Sequence, residues 1–227
     1  MDKLTRILRR GFLALCALLF ITGSFPARAE PVRRVSTEEK RIAITFDDGP
    51  SEEKTKEILS ILVENDVKAT FFVIGKNAEA HPDRIREIYE AGHEIGNHTW
   101  SHRYLTKMKA DEIREEVSKT EEILTEICGE EPRVFRPPGG YYSADSVALI
   151  EEMGYRCVLW SVDTRDWTMN SAEKICQLVQ NGTGCGDIIL FHDLADKRLS
   201  TPDALQTILP RLREEGYQFV TVSELLD

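Results

Sequence analysis

The sequence predicts an α/β fold: a parallel sheet with helices on its faces and a site gathered where the strands end. Three observations carry this. After residue 40, short β-branched runs alternate with longer amphipathic ones, and a repeated strand, helix, strand order builds parallel sheets. The chain from Glu30 to Asp227, about 200 residues, has no linker, repeat or low-complexity stretch and fits one domain with a real core. Residues able to do chemistry fall at strand exits, which such folds collect on one face.

Residues 1–29 read as a secretory signal peptide. Lys3, Arg6, Arg9 and Arg10 make a basic start, Gly11 to Ile21 is unbroken apolar sequence, and Ala27-Arg28-Ala29 has the small-x-small form of a cleavage site. The apolar run is shorter than the roughly 20 residues a spanning helix needs; the alternative is an uncleaved N-terminal anchor, the chain's one route to a membrane. A short segment, 30–40, then leads into the domain proper, 41–227.

The first strand, Arg41 to Phe46, is β-branched and ends at Asp47-Asp48-Gly49-Pro50. Ser51 and two glutamates open a helix, Glu52 to Asn65, with Ile58, Leu59, Ile61 and Leu62 on one face. Strands follow at Ala69 to Ile74, Glu94 to Asn97, Val134 to Arg136, Cys157 to Val162, Asp187 to Phe191 and Gln218 to Val220. Helices lie between them at Pro82 to Ala91, Lys109 to Ile127, Ala144 to Met153, Ala172 to Val179 (capped by Ser171) and Pro202 to Glu214. Some seven units of this kind either close into a barrel or stay an open sheet.

Loss of the signal removes five basic residues and one acidic one, taking the net charge from −10 to −14. Such a chain lacks the Lys/Arg excess that nucleic acids and anionic membranes require; a neutral substrate suits it better. Beyond the signal four cysteines remain, Cys128, Cys157, Cys176 and Cys185, in no metal-knuckle spacing. In an oxidising compartment they allow three pairings, of which Cys176 with Cys185, across a helix-to-strand loop, is the one expected first.

Two aspartates at the end of a buried strand are out of place unless paired or bound to metal. His98 and His102 stand one helical turn apart, so both can face one ion. Zinc sites of this kind take a third protein ligand, for which Asp48 is available, and leave a position for water. Asp47 is then the neighbouring carboxylate base, and His192 at another strand exit is the acid, since its titration lies near neutrality. Extended chain sends neighbouring side chains opposite ways, so one ion meets both aspartates only if the strand bends, and Gly49-Pro50 is the expected bend. Arg136 can orient Asp47. The Pro137-Pro138-Gly139-Gly140-Tyr141 loop either holds an oxyanion on its backbone or is merely a rigid turn. Asp166 can fix the His192 ring, and Trp167 offers an apolar wall or a core residue. Taken singly, these features also fit solvated turn acids, surface histidines and core aromatics; His81 and His93 are read as structural.

Together they resemble the five ordered motifs of the polysaccharide deacetylases, carbohydrate esterase family four, also called the NodB-homology domain. The motifs are Thr45 to Pro50, His98-Thr99-Trp100-Ser101-His102, Arg136 to Gly140, Asp163-Thr164-Arg165-Asp166-Trp167 and Leu190-Phe191-His192-Asp193. The resemblance implies a distorted (β/α)7-type barrel and one divalent metal, zinc first with Co2+, Ni2+ or Mn2+ as alternatives, on Asp48, His98 and His102. It also implies hydrolysis of acetyl groups on the amino sugars of a glycan, with Asp47 as base, His192 as acid, Arg136 and Asp166 as their partners, and the Gly139 backbone at the oxyanion. Pro138, Tyr141, Trp167 and Leu190 would line the substrate groove, the last two at the acetyl methyl. Many members carry tyrosine where this chain has Gly139, which removes a groove wall. The expected substrate is cell-wall peptidoglycan, at N-acetylglucosamine or N-acetylmuramic acid, otherwise chitin-like oligomers, acted on by a secreted, wall-associated monomer. The rival readings are an O-acetyl esterase of the acetylxylan type and a catalytically silent sugar-binding domain.

Overall fold

The computed structural model describes residues 29–227; the expected signal peptide lies almost wholly outside them. No described helix is long and apolar enough to cross a membrane. The described strands are β1 (Arg41–Asp47), β2 (Thr70–Val73), β3 (Glu94–Asn97), β4 (Val134–Phe135), β5 (Arg156–Cys157), β6 (Val162–Asp163), β7 (Ile188–His192) and β8 (Gln218–Phe219). All strand pairings are parallel, in the order β5-β4-β3-β2-β1-β7-β6, with β8 beside the start of β1. The helices are α1 (Lys54–Glu64), α2 (Gly75–Ala80), α3 (Pro82–Glu90), α4 (Ala110–Cys128), α5 (Ala144–Glu152), α6 (Ala172–Gly182), α7 (Thr201–Glu214) and α8 (Val222–Leu226). The sheet curls as a distorted, incompletely closed barrel of the expected kind.

Alternation along β1 sets the two sides of the sheet. Ile42, Ile44 and Phe46 pack outward into the large apolar cluster with Ile58 and Leu62 of α1 and Leu205 and Leu209 of α7. Ala43 belongs to an inner cluster with Phe72, Val134, Val158, Ile188 and Val222. Thr45 and Asp47 continue the inner row, so Asp47 ends β1 pointing into the barrel mouth. β1 and β7 run in register with Asp47 opposite His192.

The predicted strand over Cys157 to Val162 is two short strands, β5 and β6, at opposite ends of the strand order. Residues 32–35 link the end of β5 to the start of β7: Val32 N–H donates to Cys157 O at 2.9 Å, Leu159 N–H to Val32 O at 2.7 Å and Val35 N–H to Gly186 O at 2.8 Å. Part of the short N-terminal segment is therefore structurally continuous with the barrel. Two short helices went unforeseen, α2 because Ile74 before it supplies no side-chain cap, and α8 because it has only five residues. The cysteines among the described residues are free thiols, which corrects the expected Cys176–Cys185 bridge: the Cys176 thiol faces Ala204 O and that of Cys185 faces Glu38 O.

Candidate active site

The barrel mouth holds a cavity of about 320 Å³ lined by Asp47, Asp48, His98, His102 and His192, with Gly139, Tyr141, Trp167 and Leu190 on its walls. Tyr104, Trp160 and Asp163 complete it. Pro138, expected in the groove, is buried in the turn over Pro138–Gly140 and is not among the residues lining this cavity.

The bend that lets the aspartates share the site starts one residue before the expected place. Asp48 itself has φ 76°, a left-handed conformation that few side chains adopt without local support. That support comes from α2, where Asn77 donates to Asp48 O at 2.8 Å, and from Gly49, which lies against the Asp193 carboxylate with no room for a Cβ. Asp193 holds the turn from β7: its N–H donates to Asp47 O at 3.1 Å, its carbonyl accepts from Ser51 Oγ at 2.7 Å and its carboxylate accepts from Thr55 Oγ1 at 2.6 Å. Burial, with Asp48 and Asp47 nearby, pushes the Asp193 carboxyl up to about 7, against the Thr55 bond.

His98 and His102 do converge, though not on a helix. The chain from β3 to His102 is a loop in which Thr99 and His102 have φ 67° and 58°. Thr99 N–H donates to Asn97 Oδ1 at 2.9 Å, and the Ser101 N–H and hydroxyl are both taken by Glu116 of α4, at 2.7 and 2.6 Å. Asp48 Oδ1 lies 3.1 Å from His102 Nε2 and 3.5 Å from His98 Nε2. His98 Nδ1 is 2.7 Å from Arg136 O; a carbonyl only accepts, so Nδ1 carries the proton and Nε2 turns a lone pair toward Asp48.

Asp48 Oδ1 is buried and makes no hydrogen bond. Burial raises its carboxyl, but His102 and His98, in their protonated forms, outweigh this through N–H groups and charge and hold it well below the usual carboxylate range, while Asp48 draws His102 upward. A carboxylate facing an imidazole lone pair in a buried place is an electrostatic conflict that a cation removes. The ligand atoms of Asp48, His98 and His102 lie within 4.8 Å of one another, and one carboxylate with two imidazoles is a donor set for zinc and its neighbours. The residues fit a metal.

Two buried ion pairs flank this cluster. Arg136 is fully buried; its guanidinium donates to Asp47 Oδ1 at 2.7 Å, Thr45 Oγ1 at 2.8 Å and Leu159 O at 2.9 Å, and covers the Phe72 ring at 4.0 Å. Burial lowers its pKa and Asp47 opposes that. Asp47 Oδ2 is 3.8 Å from His98 Nε2. On the other side His192 Nδ1 meets Asp166 Oδ1 at 2.7 Å, and Asp166 also accepts from the His192 and Trp167 N–H groups at 2.8 and 2.9 Å and from Thr201 Oγ1 at 2.5 Å. Burial disfavours the imidazolium, yet Asp166 together with Asp47 and Asp48 prevails and raises His192 to about 9.

His93 sits at the far end of the sheet, at the start of β3, with Nδ1 accepting from Ala69 N–H at 3.2 Å, and burial lowers its pKa to about 4. His81 lies 3.5 Å from Glu52 before α3. Neither lines the cavity, in keeping with their structural reading. Sequence reasoning missed Tyr104 and Trp160 as wall residues and Thr45 as an Arg136 partner. Only Thr45, a polar side chain on the inward row of β1, carried a signal, its alternation with Asp47.

The polysaccharide deacetylase family model matches residues 34–158. A peptidoglycan-N-acetylglucosamine deacetylase of Bacillus cereus is 41% identical over 194 residues, covering 85% of this chain and 91% of the relative. Among solved structures, a peptidoglycan N-acetylglucosamine deacetylase in complex with 4-naphthalen-1-yl-N-oxidanyl-benzamide superimposes with a TM-score of 0.84 at 39% identity, covering 86% of this chain and 91% of the other. A family 4 acetyl xylan esterase from Clostridium thermocellum, in complex with a cobalt ion, gives 0.77 at 37% identity over 82% of this chain and 90% of the other. A carboxylate and two imidazoles converging between two buried ion pairs, on a fold and sequence shared to this extent, make the chain a member of the polysaccharide deacetylase family.

Proposed function

We propose that this polysaccharide deacetylase removes N-acetyl groups from the amino sugars of peptidoglycan, outside the cytoplasm. One observation carries the mechanism: Asp47, held by Arg136, and His192, held by Asp166, face one cavity together with a carboxylate and two imidazoles able to hold a metal ion. A divalent ion on Asp48, His98 and His102, zinc first, would supply positive charge that polarises an acetyl carbonyl and acidifies water.

The chain's own groups do the rest. Asp47, held by the buried guanidinium, takes the proton of a water attacking the acetyl carbon. The Gly139 backbone N–H supports the oxyanion of the tetrahedral intermediate. His192, kept protonated by Asp166, delivers its proton to the sugar nitrogen; the C–N bond breaks, leaving acetate and a free amine. Trp167 and Leu190 line the slot for the acetyl methyl.

Peptidoglycan is favoured by the relatives' substrate, by the strongly acidic chain, which suits a neutral glycan, and by the expected signal peptide. The esterase structure favours a second reading, hydrolysis of O-acetyl groups. Mass spectrometry of acetate loss from defined wall fragments, chitooligosaccharides and acetylxylan, with zinc present, separates them. Turnover confined to acetylxylan would overturn the amide assignment, and absence of acetate release from every substrate would favour the silent sugar-binding alternative.

A further inference from the structure

The Gly139 position is not an open gap in the groove. It has φ 61°, and a Cβ there would come within 3.0 Å of the Tyr141 ring and 3.3 Å of Tyr104. The ring of Tyr141 thus occupies space that a side chain at 139 would claim. It packs on Tyr104 with centroids 4.9 Å apart and planes 43° apart, and Tyr104 in turn meets the His102 ring edge-on at 6.1 Å. A ladder of rings runs from His102 of the candidate metal-ligand set to the rim of the cavity.

Tyr141 is also 55% exposed, and with Trp167 and Val63 it makes up the exposed large apolar side chains among the described residues. Two of these three line one cavity. Trp167 stands on the His192 side, joined through Asp166; Tyr141 stands on the His102 side, joined through Tyr104. An exposed aromatic face at a polar cavity suits a ligand with an apolar face and a polar edge, which is the character of a pyranose ring.

We infer that Tyr141, backed by Tyr104, is a specificity-determining stacking surface for a sugar residue adjoining the one that loses its acetyl group, so the chain prefers oligomers to a single sugar. The inference rests on the proposed function. Gly139 belongs to this design: its lack of a side chain leaves the space in which the Tyr141 ring packs, tilted, against Tyr104.

The test uses zinc-loaded full-length protein. Isothermal titration calorimetry measures binding of the tetramer of N-acetylglucosamine, and kcat/KM for acetate release is compared from monomer to tetramer. Tyr141→Ala should weaken tetramer binding roughly fivefold to tenfold, the ratio expected when about 45 Å² of apolar ring face leaves contact, and should flatten the rise of kcat/KM with chain length. Tyr141→Trp should retain both. Tetramer binding and length dependence unchanged in Tyr141→Ala, or a wild type that binds monomer as well as tetramer, would overturn the inference. A wild type that binds tetramer but releases acetate from neither the tetramer nor defined wall fragments would instead defeat the proposed function, with the binding ratio still deciding the role of Tyr141.

Discussion

Replacing Arg136 with methionine isolates the value of the buried pair with Asp47. Arg136 is fully buried and Asp47 only 4% exposed, so neither charge has water to fall back on. Methionine keeps much of the volume over Phe72, which limits the cavity penalty, but leaves the Asp47 carboxylate without its 2.7 Å partner. Breaking a buried pair from one side costs about 3–5 kcal/mol. At about 2–4 °C per kcal/mol for a domain of this size, the melting temperature should fall by roughly 6–20 °C. Asp47→Asn in the same chain removes the stranded charge, so the double variant should recover about 2–3 kcal/mol of that loss. Urea and thermal unfolding of wild type, both single variants and the double, with chelator present so that metal binding adds nothing, give the full cycle. A single-variant loss below about 1 kcal/mol, or strict additivity in the double, would refute the view that Asp47 is an ionised group held by Arg136.

Asp166→Asn should lower the pKa of His192 from about 9 toward its ordinary value, moving the alkaline limb of kcat downward; a limb that stays in place in that variant excludes His192 as the acid. The same raised pKa stabilises the fold fully below the unfolded value near 6.5 and loses its contribution as pH rises through about 9, a span worth at most about 3 kcal/mol, so Asp166→Asn should flatten the fall of stability over that window in unfolding measurements. Asp48→Ala should take bound zinc, measured by inductively coupled plasma mass spectrometry, from about one ion per chain to none; retained acetate release by a metal-free preparation would reject the scheme. Gly49→Ala should destabilise by about 1–3 kcal/mol in urea unfolding, because its Cβ would fall 2.0 Å from Asp193 Oδ2; an unchanged midpoint would mean that the β1 exit and Asp193 separate freely.

The order of strands and helices was legible because burial on the two faces of a sheet imprints itself on sequence at period two and on a helix at period 3.6. The long, strongly amphipathic α1, α4 and α7 came through almost whole. The two-residue β4 and β8 were still placed, but what period cannot carry was lost: the six-residue α2, the five-residue α8, and the break between β5 and β6, where the inference of one strand from Cys157 to Val162 joined pieces that sit at opposite ends of the strand order. The edge-stitching by Val32 and Val35 was also invisible, since isolated bridges leave no repeating pattern.

Chemistry was legible where residue type alone demanded a partner. Two aspartates ending a buried strand, two histidines and a strand-exit arginine each raise an unpaid electrostatic debt, and the fold settles them against one another across as many as 89 residues of sequence, the separation of Arg136 from Asp47. The geometry doing so was not legible. The four-residue spacing of His98 and His102 pointed to a helical pair, whereas a loop with two left-handed residues presents them, because any path that returns both rings to Asp48 satisfies the same need. Adjacency of Asp47 and Asp48 has a similar logic: an extended backbone would send them apart, and the left-handed turn at Asp48 brings the second carboxylate back to the cavity its neighbour already faces. Strain at that residue buys two unlike environments within one peptide unit, Asp47 against a guanidinium and Asp48 against two imidazoles, and that difference is what allows a base and a metal ligand to stand side by side.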